Sequence, residues 1–572
     1  MRTVIILWVI IFACPNVHAQ RMYDYKWLVG YEPNIPDEMF GGCIVDFTSI
    51  PVSLNYFEIP CFLFEYSVLN DQDGSLLAYS EGCDIFNAHH EVMLHGDSIN
   101  YGVVWNSFCS GYPGAQGIIM LPFPGNPSKA IAVHTRINDG YTGTQVQYTV
   151  IDFELEGGLG EVVIKDQFLD ELPLGDYITA TQHANGRDWW VLTPETGTNR
   201  FYIYLITPSG ISNAVIQSVG EPWGSKYWSG QMTFSPDGTI LARIDPNNGL
   251  YLYYFDRCSG VLSNQRHFDP FIEHSSGAGG VAFSSDSRFL YVTYLTKIFQ
   301  LDLWESDLIS SLVVVAEYDD FQAPFPATFY QAALAPDNKI YLTATNGVYV
   351  MHVIHHPERK GMDCKAEPHG LVLPVHNTWH VPNFPYYRLG PLDGSPCDTL
   401  GLNNVPVADF RWEIDTSDDK LVLFRNTSYF LPEVFSWTFG DASTSTEKDP
   451  IHGYAAPGIY EVCLTVSNVY GSDTKCREVD LLSSATSDPV LTDSGIRVYP
   501  NPASTTLHFA CDEDFSGYVV LYDVFGNPIR RESIAHTQNH IMNTADLSGL
   551  YFYQLIDGHN KIVENGKIVI AQ

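Results

Sequence analysis

The chain has 572 residues and a formal charge of −36, from 66 Asp and Glu against 30 Lys and Arg. Such a charge repels phosphate backbones and anionic lipid headgroups, which argues against nucleic acid as a partner. An apolar content of 45% permits a packed core, and 13% aromatic residues favour strands over helical bundles.

Taken in chain order, the first element is an export signal. Arg2 precedes an apolar run from Val4 to Cys14, and Val17-His18-Ala19 supplies a small-residue exit. This predicts a signal peptide over 1–19, cut between Ala19 and Gln20. A lipoprotein signal acylated at Cys14 is the weaker alternative, because bulky Phe12 stands just before it. The run is too short to be an anchor, and no transmembrane segment is expected elsewhere. Loss of Cys14 leaves ten cysteines: Cys43, Cys61, Cys83, Cys109, Cys258, Cys364, Cys397, Cys463, Cys476 and Cys511. An even number in an exported chain predicts disulfides, and the absence of CxxC argues against a zinc ribbon.

A repeat organises residues 20–395. The segments MTFSPDGTILARI, VAFSSDSRFLYVT and AALAPDNKIYLTA place Asp237, Asp286 and Asp337 at separations of 49 and 51. In each, an apolar strand enters a polar turn and another leaves it. Weaker copies turn at Gly74, Gly125 and Gly186, which with Gly238 lie 51, 61 and 52 apart. A period near fifty with several strands per unit predicts a β-propeller. Six blades are visible. Residues Cys43 to Ile59 and Gly370 to Leu389 are expected to pair as a seventh that clasps the ring, with six or eight blades as alternatives. The FSPDG-strand pattern resembles WD40-like and lactonase-like propellers, although the Trp-Asp dipeptide is absent. The segments DGSLLAYSEGCDIFNAHHEVM and FPYYRLGPLDGSPCDTLG resemble parts of large exported proteins of Bacteroidetes-type bacteria. These resemblances imply an architecture and no activity.

Gly, Pro, Asn and Asp between Gly390 and Pro406 predict a linker, centred on 396–405. In the domain at 406–482, Trp437 and Phe439 share one strand face, Gly440-Asp441 opens a turn, and Val462, Leu464 and Val466 alternate inward. A hairpin closing between Val469 and Tyr470 sets Cys463 opposite Cys476, which predicts a disulfide. This stretch resembles the PKD domain, an immunoglobulin-like sandwich, at Trp437, Phe439, Gly440, Asp441, Pro450, Tyr454, Pro457, Gly458, Tyr460 and Val466. Ala442 stands where that family has glycine. The resemblance implies a module that spaces, adheres or contacts glycans, with a spacer favoured.

A polar linker at 483–495 precedes a last small β-sandwich at 496–572. Its motifs are Tyr499-Pro500-Asn501-Pro502, Leu521-Tyr522-Asp523 with Gly526, Gly549-Leu550-Tyr551, and Gly566-Lys567-Ile568-Val569. They resemble the type A C-terminal sorting domain of the type IX secretion system. The resemblance implies passage through the periplasm and export across the outer membrane, with the type IX machinery as partner.

No catalytic constellation emerges. Gly-x-Ser-x-Gly and phosphate-cradling loops are absent, and carboxylates are too many to choose a pair. Histidines gather at His89, His90, His95, His352, His355, His356, His369, His376 and His380, where loop and strand-end roles are favoured over metal binding. Asn70 to Gly74 has calcium-loop spacing but lacks the closing glutamate, so a hairpin turn is expected. Trp189 and Trp190 point to opposite faces of a strand, one of them a candidate sugar platform, with core packing favoured. The reading is an all-β, exported, non-catalytic cell-surface or secreted binding protein with no cofactor and a glycan or protein ligand. The alternative is a secreted hydrolase acting on glycan or peptide from the propeller face.

Overall fold

The repeated aspartate turns close by the same hydrogen bonds. The Asp237 carboxylate accepts from Ser235 Oγ at 2.5 Å and from the Thr239 amide at 3.0 Å, while Gly238 takes φ +72°. Asp286 does the same with Ser284 Oγ at 2.5 Å and the Arg288 amide at 3.2 Å. Asp337 accepts from the Lys339 amide at 3.1 Å. Each carboxylate satisfies amides that the turn removes from the ladder, which makes the hairpin a local property of the sequence. Asp71 plays this part between Ser67–Asn70 and Leu76–Ser80, accepting from the amides of Asp73 and Ser75. Asn70 to Gly74 is therefore a hairpin turn.

The structure, a computed structural model, describes residues 21–31, 39–108, 111–138, 143–174, 177–222, 230–245, 248–269, 279–415, 418, 420–481, 496–499, 503, 506–522, 528–545, 547, 549–557 and 562–570. The cleavage residues Ala19 and Gln20, the 483–495 linker, and Pro500, Asn501, Pro502 and Gly526 lie outside them. The chain divides into two compact units. One comprises Met1–Glu413, Val422–His452 and Glu461–Arg477; the other comprises Ile414–Leu421, Gly453–Tyr460 and Glu478–Gln572.

In the first unit, seven antiparallel sheets follow one another in the described sequence. The first holds Lys26–Tyr31, Gly41–Asp46 and Ser53–Phe57. The other six begin with the inner strands Ser67–Asn70, Ile118–Pro122, Thr179–Gln182, Gln231–Phe234, Gly280–Phe283 and Ala332–Leu334. Each inner strand starts on one face of the propeller, called here the entrance face. It ends on the exit face, where the aspartate turns lie. Apolar residues on alternate strand faces fill the space between sheets. Trp189 and Trp190 show the rule: both are buried, on opposite sides, with Trp189 Nε1 donating to the Pro122 carbonyl and Trp190 Nε1 to that of Arg257. Each tryptophan thus fastens its own sheet to a different neighbour.

Closure differs from the expected strand pairing. The last sheet is completed by Ala366–Asn377, which pairs with Val348–Ile354, and the first sheet is built from N-terminal residues alone. The clasp is residues 378–388, which run irregularly beside residues 24–30 and form no ladder with Cys43 to Ile59, the pairing that the sequence predicts. The Thr378 amide donates to the Gly30 carbonyl, and the Gly30 amide to Asn377 Oδ1. Farther along, buried Arg388 grips buried Asp24 through two hydrogen bonds at 2.6 and 2.9 Å. The prolines at 382 and 385 explain the irregularity, since proline cannot donate to a ladder.

Beyond the clasp, the segment read as a linker is tied down. Cys397 forms a disulfide with Cys258, and Asn404 Nδ2 donates to the Pro391 carbonyl and to Asp393. The sandwich that follows packs Trp437, Phe439, Phe410 and Phe424 in its core. It meets the propeller at the exit face. Arg411 donates to the carbonyls of Asp337 and His355, and Tyr25 Oη to Asp409.

In the second unit, Ile496–Tyr499, Thr506–Tyr522, Pro528–Asn543, Gly549–Asp557 and Ile562–Ile570 form one five-stranded sheet. Register shifts between Ala510 and Gly517 interrupt the pairing of its long strand with Pro528–Asn543. Leu507, Phe509, Val519, Leu521, Tyr553 and Leu555 lie in its core.

Candidate functional site

The axis of the propeller is filled by its own chain. Residues 379–391 enter beside Phe64 and Tyr330 and leave beside Ala184 and Arg257. Asn383 is the central fastening. Its Nδ2 donates to the carbonyls of Ile118 and Ile178, its amide to that of Tyr66, and its own carbonyl accepts from Ser67 Oγ at 2.7 Å.

Three buried glutamines complete the closure. Gln116 exchanges two hydrogen bonds with the backbone of Met232, and Gln231 two with Ala332. Gln331 donates to the Gly230 carbonyl and accepts from the Val381 amide. Each side-chain amide supplies one donor and one acceptor, which is what an unpaired stretch of inner strand requires. The remaining cavity, lined by Asp24, Gln231, Phe283 and Pro382 to Tyr386, has a volume of about 50 Å³. Waters fit there; small-molecule sites occupy roughly 300–1,000 Å³. Its carboxylate, Asp24, is committed to Arg388.

At the entrance face the same segment carries Trp379 and His380 into a run of rings. Tyr349 and His376 lie 5.9 Å apart, His376 and Phe40 5.2 Å, Phe40 and Tyr31 5.7 Å, and Tyr31 and Phe62 5.1 Å. The run continues from Phe62 to Phe64 at 5.7 Å and from Phe64 to Trp379 at 4.7 Å. All of these residues are half-buried, so each leaves part of its surface to solvent. His380, fully buried behind them between Phe64 and Tyr330, is pushed down to about 4 by burial. The belt is continuous although its members come from four separate stretches of chain.

The other histidines are held apart. His352 is buried, its Nδ1 accepts the His369 amide, and burial pushes it down to about 3. His369 contacts Asp319 at 2.9 Å and stacks on Phe321. His355 contacts Glu367, and His356 lies 3.7 Å from Glu413. His376 and His380 pack on different rings and do not converge. Among the described residues, no three His, Cys, Asp or Glu side chains are grouped to hold a metal. Of the buried carboxyls, Glu65 accepts the Gly117 amide at 2.7 Å, and burial raises Glu81 well above the usual range.

In the sandwich, the Cys463–Cys476 disulfide joins paired strands. Burial pushes the Asp441 carboxyl up, but the Ser443 amide and His452 outweigh this and hold it below its ordinary value. His452 in turn stacks on Phe439 at 4.1 Å. Gly440 has φ +79°, and its Cβ would meet the Glu461 backbone. Tyr460 Oη donates to the Ala456 carbonyl, the bond of a tyrosine corner. Pro457 and Gly458 make the turn before it. In the second unit, Tyr499 pairs with His508, Tyr551 with Ile568, and Lys567 with Phe552, while Gly549 begins its strand at φ +116°.

These features define an all-β protein: a propeller, an immunoglobulin-like sandwich and a terminal five-stranded module. Residues 403–482 match the PKD domain, and residues 497–571 match the secretion system C-terminal sorting domain. The latter marks export by the type IX system to the cell surface or extracellular space. No curated protein matches the chain. Among solved structures, the PKD1 domain of the Vibrio cholerae metalloprotease PrtV is 33% identical, over 13% of this chain and 94% of that one, with a TM-score of 0.12. The Cps50 (Swd1) β-propeller domain of Myceliophteria thermophila is 10% identical, over 54% and 88%, with a TM-score of 0.33. A gluconolactonase of Xanthomonas campestris is 14% identical, over 48% and 79%, with a TM-score of 0.27. No helix among the described residues is long and apolar enough to cross a membrane.

Proposed function

We propose that this chain is a non-catalytic surface or secreted binding protein whose entrance face takes a neutral glycan. Residues 1–19 act as a signal cut before Gln20, 20–395 as the binding propeller, 406–482 as a spacer, and 496–572 as the export address. The observation that carries the reading is the aromatic belt beside a filled axis. Half-exposed rings offer flat apolar faces with polar tips, the chemistry that stacks on sugar rings. A charge of −36 disfavours polyanionic ligands, which points to uncharged sugars. The small axial cavity and its committed carboxylate favour binding over turnover.

The test is a glycan array with the mature protein, followed by titration calorimetry on the hits. Trp379→Ala and Phe64→Ala should each weaken binding at least tenfold while export continues. An array without hits, or hits indifferent to both substitutions, would overturn the reading. Hydrolysis of a bound glycan would move the assignment to a secreted hydrolase on the same face.

A further inference from the structure

On the exit face, a pocket of about 280 Å³ opens among the turns that follow the inner strands Ser67–Asn70, Ile118–Pro122 and Thr179–Gln182. Its size approaches the lower end of small-ligand sites, roughly 300 Å³. Tyr23, Phe123 and Trp189 wall it, together with prolines of the turn at 122–127, and Arg21 lines it beside them. The Arg21 guanidinium donates from Nη1 to Gln182 Oε1 at 2.7 Å and to the Leu389 carbonyl at 2.9 Å. From Nη2 it donates to the Gly186 carbonyl at 3.2 Å. All three acceptors are neutral. The Phe430 ring lies 5.1 Å from the guanidinium carbon, and no carboxylate pairs with it among the described residues.

The nearby charges are already spent. Arg187, also lining the pocket, is paired with Asp188 at 2.7 Å. Asp71, next to the lining residue Gln72, accepts two amides of its own turn. Among the described residues, no Asp or Glu lines the pocket. In a chain with more than twice as many acids as bases, this half-buried cation is thus uncompensated among the described residues at a concave site. Of the five guanidinium N–H groups, Nε–H and one on Nη2 have no acceptor among the described residues, enough for the two oxygens of a carboxylate.

We propose that this pocket binds a small organic carboxylate, with its charge on Arg21 and its apolar body against Phe123 and Tyr23. The acid could belong to an acidic sugar or to the end of a peptide, and the probes separate these. Titration calorimetry of the mature full chain would use glucuronate and N-acetylalanine, each beside its neutral analogue, glucose and N-acetylalaninamide. At least one acid should bind saturably, at least tenfold tighter than its analogue, and more weakly as salt rises. Arg21→Gln should abolish this. Because Arg21 also holds backbone carbonyls, Phe123→Asp serves as a second variant that keeps the arginine and supplies a competing carboxylate; it should abolish binding too. Trp379→Ala, on the entrance face, should leave it unchanged, which separates this site from the glycan reading. Absence of saturable binding by either acid, equal binding of the neutral analogues, or survival of binding in both pocket variants would overturn the proposal.

Discussion

Ala442 occupies a backbone position that suits glycine. Its φ is +73°, where a Cβ crowds the neighbouring carbonyl at a cost of about 1–2 kcal/mol. Ala442→Gly should therefore stabilise the PKD domain by about 1 kcal/mol, net of the extra freedom glycine gives the unfolded chain. Urea unfolding followed by Trp437 fluorescence would show this as a higher midpoint with an unchanged slope. A second residue-scale effect concerns buried imidazoles. Burial pushes His134 and His352 from 6.5 down to about 3. His134 is locked neutral between Asn100 Oδ1 and Thr149 Oγ1. The unfolded chain then binds more protons than the folded one between pH 6.5 and about 3. Stability is full above 6.5 and falls with acid, by up to about 1.4 kcal/mol per pH unit for each histidine. His134→Gln should flatten this acid limb by up to one proton, measured as the slope of unfolding free energy against pH.

At the scale of elements, the clasp and the disulfides decide cooperativity. Asn383→Ala strips partners from the carbonyls of Ile118 and Ile178 and from Gln116. Buried groups left unpaired cost about 1–3 kcal/mol each, so a loss of about 3 kcal/mol is expected. Because Asn383 joins three inner strands, the loss should appear as earlier melting of the whole propeller and not as fraying of one sheet. Hydrogen exchange would separate these outcomes. The disulfides differ in the loops they close. Cys463 and Cys476 are 13 residues apart, for which loop entropy predicts about 3 kcal/mol. Cys258 and Cys397 are 139 apart and give about 5 kcal/mol on the same relation. Cys397→Ser should thus destabilise the propeller more than Cys463→Ser destabilises the sandwich. Comparing the two variants by calorimetry checks the order.

At the scale of the molecule, the chain is an address attached to cargo. The cargo has its own cores, which bury Ile131, Trp189, Leu241 and Val292. Deleting 496–572 should leave it folded by circular dichroism and retained in the periplasm. A normal surface or medium level of the truncated protein would show that export does not depend on this module.

What could be read along the chain and what could not divides at the range of the interactions. Asp237, Asp286 and Asp337 announce their hairpins because a turn carboxylate bonds amides two residues away. Cys463 and Cys476 could be paired for a similar reason, since the turn between them sets the register. Trp437, Phe439 and the sorting motifs are legible because their patterns are contiguous. Gln116, Gln231 and Gln331 carry no such mark: their partners lie 50 to 267 residues off, across the axis. Residues 378–388 resemble a final strand, yet their prolines deny them a ladder, and only the assembled ring shows that they fill it. The belt from Tyr349 to Trp379 and the surroundings of Arg21 exist because closure brings the two ends of the propeller together. Sequence by itself determined the modules and their turns, which depend on neighbours. Tertiary structure decided which rings share a face and which cation lacks an anion, because both depend on residues hundreds of positions apart.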